Sequence, residues 1–112
     1  MAYDEGLVQR IREILEDRLG YEEKKMFGGI GFMLFGNMAC GVYKDAMIVR
    51  VGPDKYEETL NEPGAREFNI TGRPMRGWIF VDKKYCESEE NLLYWMNRGI
   101  EFSSSLPHKQ EG

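Results

Sequence analysis

Met26-Phe27-Gly28-Gly29-Ile30-Gly31-Phe32-Met33-Leu34-Phe35-Gly36-Asn37-Met38-Ala39-Cys40-Gly41-Val42-Tyr43-Lys44-Asp45-Ala46-Met47-Ile48-Val49-Arg50-Val51 is a succession of three apolar runs separated by two short polar breaks. Runs of this length, bounded by Gly36-Asn37 and Lys44-Asp45, predict three consecutive antiparallel strands. Gly36-Asn37 suits a tight hairpin because glycine, and to a lesser degree asparagine, accepts a positive φ at small steric cost. A strand alternates at period two, so Ile30, Phe32 and Leu34 are expected on one face and Met33 and Phe35 on the other. One face is expected to pack under helices, with the other at least partly covered.

Outside this stretch the spacing of apolar residues changes. Leu7, Val8, Ile11, Ile14, Leu15 and Leu19 recur every three or four positions between Asp4 and Leu19, which predicts an amphipathic helix. Asp4 is its expected N-cap and Gly20 its expected left-handed terminator. The charged segment 21–25 reads as a lead-in to the strands. Gly52 to Leu60 predicts a short helix with Pro53 in its first turn, stopped before Pro63-Gly64. Arg66 to Ile70 and Trp78 to Val81 predict strands around the loop Thr71-Gly72-Arg73-Pro74-Met75-Arg76-Gly77. A last helix is expected from an N-cap at Ser88 to about Ser105, with Leu92, Leu93, Trp95, Met96, Ile100 and Phe102 as its apolar surface. Gly99 weakens such a helix by about 1 kcal/mol relative to alanine, which is tolerable where another backbone packs closely. The resulting class is α+β, an antiparallel sheet with the N- and C-terminal helices packed on it in two layers. Residues 1–106 are read as one domain and residues 107–112 as a flexible polar tail.

A chain of 112 residues with 42% hydrophobic content supports one packed core and leaves little for a deep cavity. The N-terminal residues lack a signal-peptide pattern and no run approaches the ~20 apolar residues of a membrane span, so a soluble cytoplasmic protein with reduced thiols is expected. Cys40 and Cys86 lie far apart and His108 is the sole histidine. Neither a metal site nor a cofactor is expected from such a set.

Catalysis has no evident constellation. Gly29-Ile30-Gly31 begins like a dinucleotide fingerprint, but Leu34 stands where the third glycine belongs and no helix follows to hold a phosphate. Close sheet packing is the simpler role for these glycines. Cys40 sits in an apolar run without a neighbouring base, and adjacent pairs such as Glu57-Glu58 point in different directions on a helix. A non-enzymatic protein is the expectation.

The net charge of -4 argues against broad nucleic-acid affinity, which depends on neutralising phosphates. Between Arg66 and Lys84, however, five basic residues (Arg66, Arg73, Arg76, Lys83 and Lys84) stand against two acidic ones (Glu67 and Asp82). Arg73 and Arg76 flank Pro74-Met75 in a loop of restricted conformation, where two guanidinium groups can grip a carboxylate or phosphate. The same arginines can equally pair with nearby acidic residues. Trp78 reads either as core or as a partner anchor.

The segments Met26-Phe27-Gly28-Gly29-Ile30-Gly31-Phe32-Met33, Val49-Arg50-Val51-Gly52-Pro53, Pro63-Gly64-Ala65-Arg66 and Thr71-Gly72-Arg73-Pro74-Met75-Arg76-Gly77-Trp78, together with Ala39 and Tyr56, closely resemble the N-terminal domain of the TfoX family of bacterial competence regulators. The resemblance covers nearly the whole chain. It implies a bacterial cytoplasmic protein with a fold similar to small secretion-chaperone-like domains. Full-length members carry a second, C-terminal domain and promote transcription together with a cyclic-AMP-responsive activator, without a recognised DNA-binding motif of their own. The expected role is therefore a stand-alone interaction domain contacting a protein of the transcription machinery, with weak nucleic-acid binding through the basic segment, or small-molecule binding, as alternatives. The resemblance transfers no catalytic residue. It marks Arg50, Tyr56, Arg66, Arg73, Arg76 and Trp78 as candidate binding or loop-fixing positions.

Overall fold

A computed structural model describes residues 3–26, 28–70 and 72–109. Its elements run in the order α1 (Glu5–Leu15), β1 (Tyr21–Met26), β2 (Gly29–Leu34), β3 (Asn37–Tyr43), β4 (Ala46–Arg50), α2 (Tyr56–Leu60), β5 (Ala65–Glu67), β6 (Trp78–Val81), a 3-10 turn (Lys83–Cys86) and α3 (Glu89–Ser104). The six strands form one open sheet in the order β1-β2-β3-β4-β6-β5, with every neighbouring pair antiparallel. The α+β class expected from the sequence is the class observed.

The three central strands arise where the apolar runs place them. Leu34 pairs with Asn37 across a two-residue turn, and positive φ falls on Phe35 and Gly36. That pattern matches a type I′ hairpin whose twist suits the flanking strands. The turn is therefore displaced by one residue from the expected Gly36-Asn37. Phe35 accepts the conformation because both its backbone groups are engaged, its amide donating to the Gly20 carbonyl at 2.9 Å and its carbonyl accepting from the Lys109 amide at 2.8 Å.

Cross-strand register divides the side chains into two sets. Ile30, Phe32, Cys40, Val42, Met47, Val49, Ile79 and Val81 join Leu7, Val8, Ile11 and Leu15 of α1 and Leu92, Trp95 and Met96 of α3 in the larger core. Both terminal helices thus lie on this face. The opposite face carries Met33, Met38, Ala46, Ile48 and Phe80, and Phe68 folds over them from the β5–β6 connection. Every residue of β2 is buried.

Four expectations change in detail. α1 ends at Leu15 rather than Leu19, with Glu16 as C-cap, and Leu19 is 83% exposed. Gly20 does adopt a positive φ, but it serves the reversal into β1 instead of the helix terminus. The charged segment is itself a strand: β1 pairs with β2 from Tyr21↔Leu34 to Met26↔Gly29, and Arg12 of α1 holds Glu23 through two contacts of 2.6 and 2.7 Å. An edge strand with one solvated face tolerates such charge. α2 begins at Tyr56 because residues 53–55 form a turn, and β5 ends at Glu67 because Phe68 turns into the second core.

α3 begins where expected, with Ser88 accepting the Asn91 amide at 3.0 Å. A Cβ built on Gly99 would lie 2.1 Å from the Ala39 carbonyl oxygen, so this glycine lets α3 rest directly on β3. Beyond α3, the Asn37 side-chain amide donates to the Pro107 carbonyl at 2.8 Å and the His108 ring stacks on Phe35 at 3.9 Å. Residues 110–112 of the segment read as a tail lie outside the described residues.

Asp4 caps α1 by accepting the Leu7 amide at 3.0 Å and also pairs with Lys83 at 2.5 Å. The Lys83 hydrogen bond, then the Leu7 amide, holds its carboxyl below the ordinary value. A carboxylate with a lowered folded-state pKa adds stability above its unfolded pKa and loses it as pH falls through the folded value. Asp4→Asn keeps an oxygen cap but removes the charge. Its Tm deficit relative to the parent is expected to be small, largest near neutral pH, and to shrink as pH falls through the lowered folded-state pKa of Asp4. Thermal melts at several pH values check this, and a deficit independent of pH would assign Asp4 to capping alone.

Candidate functional site

The expected binding residues separate into two groups in space. Arg66, on β5, pairs with Asp82 at 2.7 Å and lies over the Phe80 ring. Arg76 contacts Glu57 at 3.3 Å and approaches the Tyr56 ring at 5.8 Å. Lys83 is taken by Asp4. Three of the five basic residues between Arg66 and Lys84 are thus matched by carboxylates, and the electrostatic excess read from the sequence is mostly neutralised locally. Such surface pairs contribute little to stability. Their effect is to remove free cations from the surface.

Arg73 differs. It is exposed, and among the described residues it forms no ion pair or hydrogen bond. Its loop is fixed at both ends: the Met75 amide donates to the Phe68 carbonyl at 3.1 Å, the Trp78 amide donates to Met75 at 3.1 Å, and the Val51 and Gly52 amides both donate to the Gly77 carbonyl. Met75, between the two arginines, is 37% exposed. The loop therefore presents a guanidinium without a partner among the described residues, beside an apolar side chain on a braced backbone.

Tyr56 is buried, and its hydroxyl has no hydrogen-bond partner among the described residues. Burial pushes its pKa up, with Glu67 adding to the effect. It belongs to the core beneath α2 rather than to a surface.

Arg50 and Trp78 form the second group. They are register partners on β4 and β6, so both side chains project from the sheet face opposite the helices. The Arg50 guanidinium lies 4.8 Å from the Trp78 ring centre and 5.2 Å from that of Phe102. No carboxylate or hydrogen-bond acceptor among the described residues pairs with it. Burial alone lowers its pKa. Cation–π contacts of this kind contribute roughly 0.5 to 2 kcal/mol and leave the guanidinium N–H groups available.

Beside this pair lies a cavity of about 280 Å³ lined by Met26, Met33, Met38, Phe68, Met75 and Trp78, with Arg50, Lys109 and Gly36 completing it. A larger cleft of about 550 Å³ runs between α2 and α3, and both its cations are held by carboxylates, Lys55 by Glu101 at 3.1 Å and Arg98 by Glu62 at 3.0 Å. The methionine-lined cavity was not apparent from the linear sequence. Its signal was present in the alternation of the strands, since Met26, Met33, Met38, Arg50 and Trp78 share one face once the register is known.

Both thiols are fully buried, and burial pushes their pKa values to about 12 for Cys40 and about 11 for Cys86. A thiol held protonated is a poor nucleophile. No cluster of metal-binding side chains occurs among the described residues. No helix among them is long and apolar enough to cross a membrane.

Fold and surface together define a small α+β domain, an open antiparallel sheet backed by its terminal helices and bearing a braced basic loop. The sequence profile of the TfoX N-terminal domain matches residues 13–103, and the chain belongs to that family. No curated protein and no solved structure matches it.

Proposed function

We propose that this chain is a non-enzymatic interaction domain that contacts a protein of the transcription machinery through the loop bearing Arg73, Met75 and Arg76. The observation that carries the reading is exposed Arg73, unpaired among the described residues, beside exposed Met75 on a loop whose backbone is hydrogen-bonded at both ends. Arginine next to an apolar side chain on a rigid support is the composition of an interface anchor. The class of partner is proposed from the resemblance to competence regulators. Direct nucleic-acid binding draws less support, because carboxylates occupy Arg66, Arg76 and Lys83.

The test is direct binding of the immobilised chain to purified bacterial RNA polymerase and to the purified cyclic-AMP-responsive activator. One of the two is expected to bind, and Arg73→Ala with Arg76→Ala is expected to weaken that binding by about tenfold or more. Unchanged binding in the double variant would remove the loop assignment. Failure of both purified proteins to bind would remove the proposed partner class.

A further inference from the structure

The sheet face opposite the helices is covered unevenly. Phe68, with Ile70 packed beside it, closes over Ile48 and Phe80 on the β4–β6 side. Among the described residues the β2–β3 side is overlaid by methionine side chains, with Lys109 at the turn end, and the cavity opens there. Its floor is low for a definite reason. Gly31 and Gly41 are register partners across β2 and β3, and a Cβ on Gly31 would meet the ends of Met26 and Met38 at 3.0 to 3.3 Å. The glycine pair therefore gives the methionines the space in which they lie across the sheet. Methionine's unbranched, polarisable side chain conforms to differently shaped apolar ligands.

The cavity's charge is one-sided. Among the described residues, Arg50 and Lys109 are its ionisable lining residues, neither has an acidic partner, and no carboxylate lines the wall. Its volume of about 280 Å³ lies just below the usual range for small-molecule sites, which suits a small ligand. A guanidinium held over the Trp78 and Phe102 rings keeps its N–H groups free of any partner among the described residues, and such a group can meet a planar carboxylate through two parallel hydrogen bonds.

We propose that this cavity binds a small amphiphilic monocarboxylate, its apolar chain or ring lying among Met26, Met33, Met38, Phe68 and Met75 and its carboxylate against Arg50. The site shares Met75 with the protein contact proposed above, but its charged anchor is a different one. Arg73 and Arg76 do not line it, so their double alanine variant retains ligand binding even if it loses a partner.

Octanoate serves as the probe and octanamide as its uncharged counterpart, with methyl-¹³C-methionine NMR as the readout. The expected result is saturable movement of the Met26, Met33, Met38 and Met75 methyl signals while Met47 and Met96, buried in the other core, stay still. Octanoate is expected to bind about tenfold or more tightly than octanamide, and Arg50→Gln to abolish that preference, since a hydrogen-bonded charge contributes roughly that factor. Gly31→Ala pushes the methionines into the cavity and is expected to weaken both probes equally. The inference is overturned if the four cavity signals do not saturate, if Met47 and Met96 move equally, if the two probes bind alike to the parent chain, or if a folded Arg50→Gln keeps the preference. The comparison of probes on the parent chain decides the matter should Arg50→Gln fail to fold.

Discussion

Gly99→Ala is expected to destabilise the domain by about 3 kcal/mol or more, although the same change on an exposed helix surface would stabilise it by about 1 kcal/mol. The sign reverses because of one contact. The new Cβ would sit 2.1 Å from the Ala39 carbonyl oxygen and 2.9 Å from its carbon, both backbone atoms of a central strand that cannot rotate away. Relief requires α3 to lift from β3 and β4, and Trp95 and Met96 ride on that helix into the larger core. Urea unfolding followed by circular dichroism measures the loss. Stability equal to or above that of the parent would mean that α3 is not seated on the sheet as described.

Phe32→Ala is expected to cost about 3 to 5 kcal/mol, the range for removing a fully buried aromatic ring. Phe32 is completely inaccessible and stands on β2 in the core that the terminal helices cover, with the Tyr21 ring 6.4 Å away. Its neighbours come from β1, β2 and β3, whose paired backbones limit collapse into the space it leaves. Leu19→Ala is the matched comparison. Leu19 falls on the same apolar spacing in the sequence but is 83% exposed, so its loss is expected to stay within about 0.5 kcal/mol. Parallel urea titrations test both, and similar losses at the two positions would contradict the assignment of α1's end. Against a total of roughly 5 to 15 kcal/mol, either Gly99→Ala or Phe32→Ala removes a large share of the domain's stability.

These two positions also show what the sequence could convey. Gly99 in an otherwise apolar helix signalled close backbone packing before the partner was known, because a helix accepts the cost of glycine where something must approach it. The central strands were legible for a similar reason, their long apolar runs being incompatible with exposure. β1 was not legible. Tyr21-Glu22-Glu23-Lys24-Lys25-Met26 has neither apolar alternation nor strong strand preference, and it becomes a strand through its pairing with β2 and the clamp of Arg12 on Glu23. Periodicity also carried α1 too far, since Leu19 matches the helical spacing although the chain has already turned towards β1. At the surface, the basic segment was visible as composition, but the carboxylates that occupy Arg66, Arg76 and Lys83 come from residues brought together by folding. Arg73 could be distinguished from them in three dimensions alone.

The burial of β2 on both faces changes what fixes the alignment of the strands. In a sheet with one wet face, sliding a strand by one residue moves apolar side chains into water, and that penalty secures the alignment. Here such a slide would exchange one apolar environment for another, so hydrophobicity discriminates weakly. Shape must discriminate instead. A one-residue slip would bring Phe32 to the side where Gly31 and Gly41 leave room for methionine ends, and would set a glycine where the helices require a ring. The glycines of β2 and β3 thus act as alignment marks, and substitutions there are predicted to permit competing strand registers as well as to alter packing.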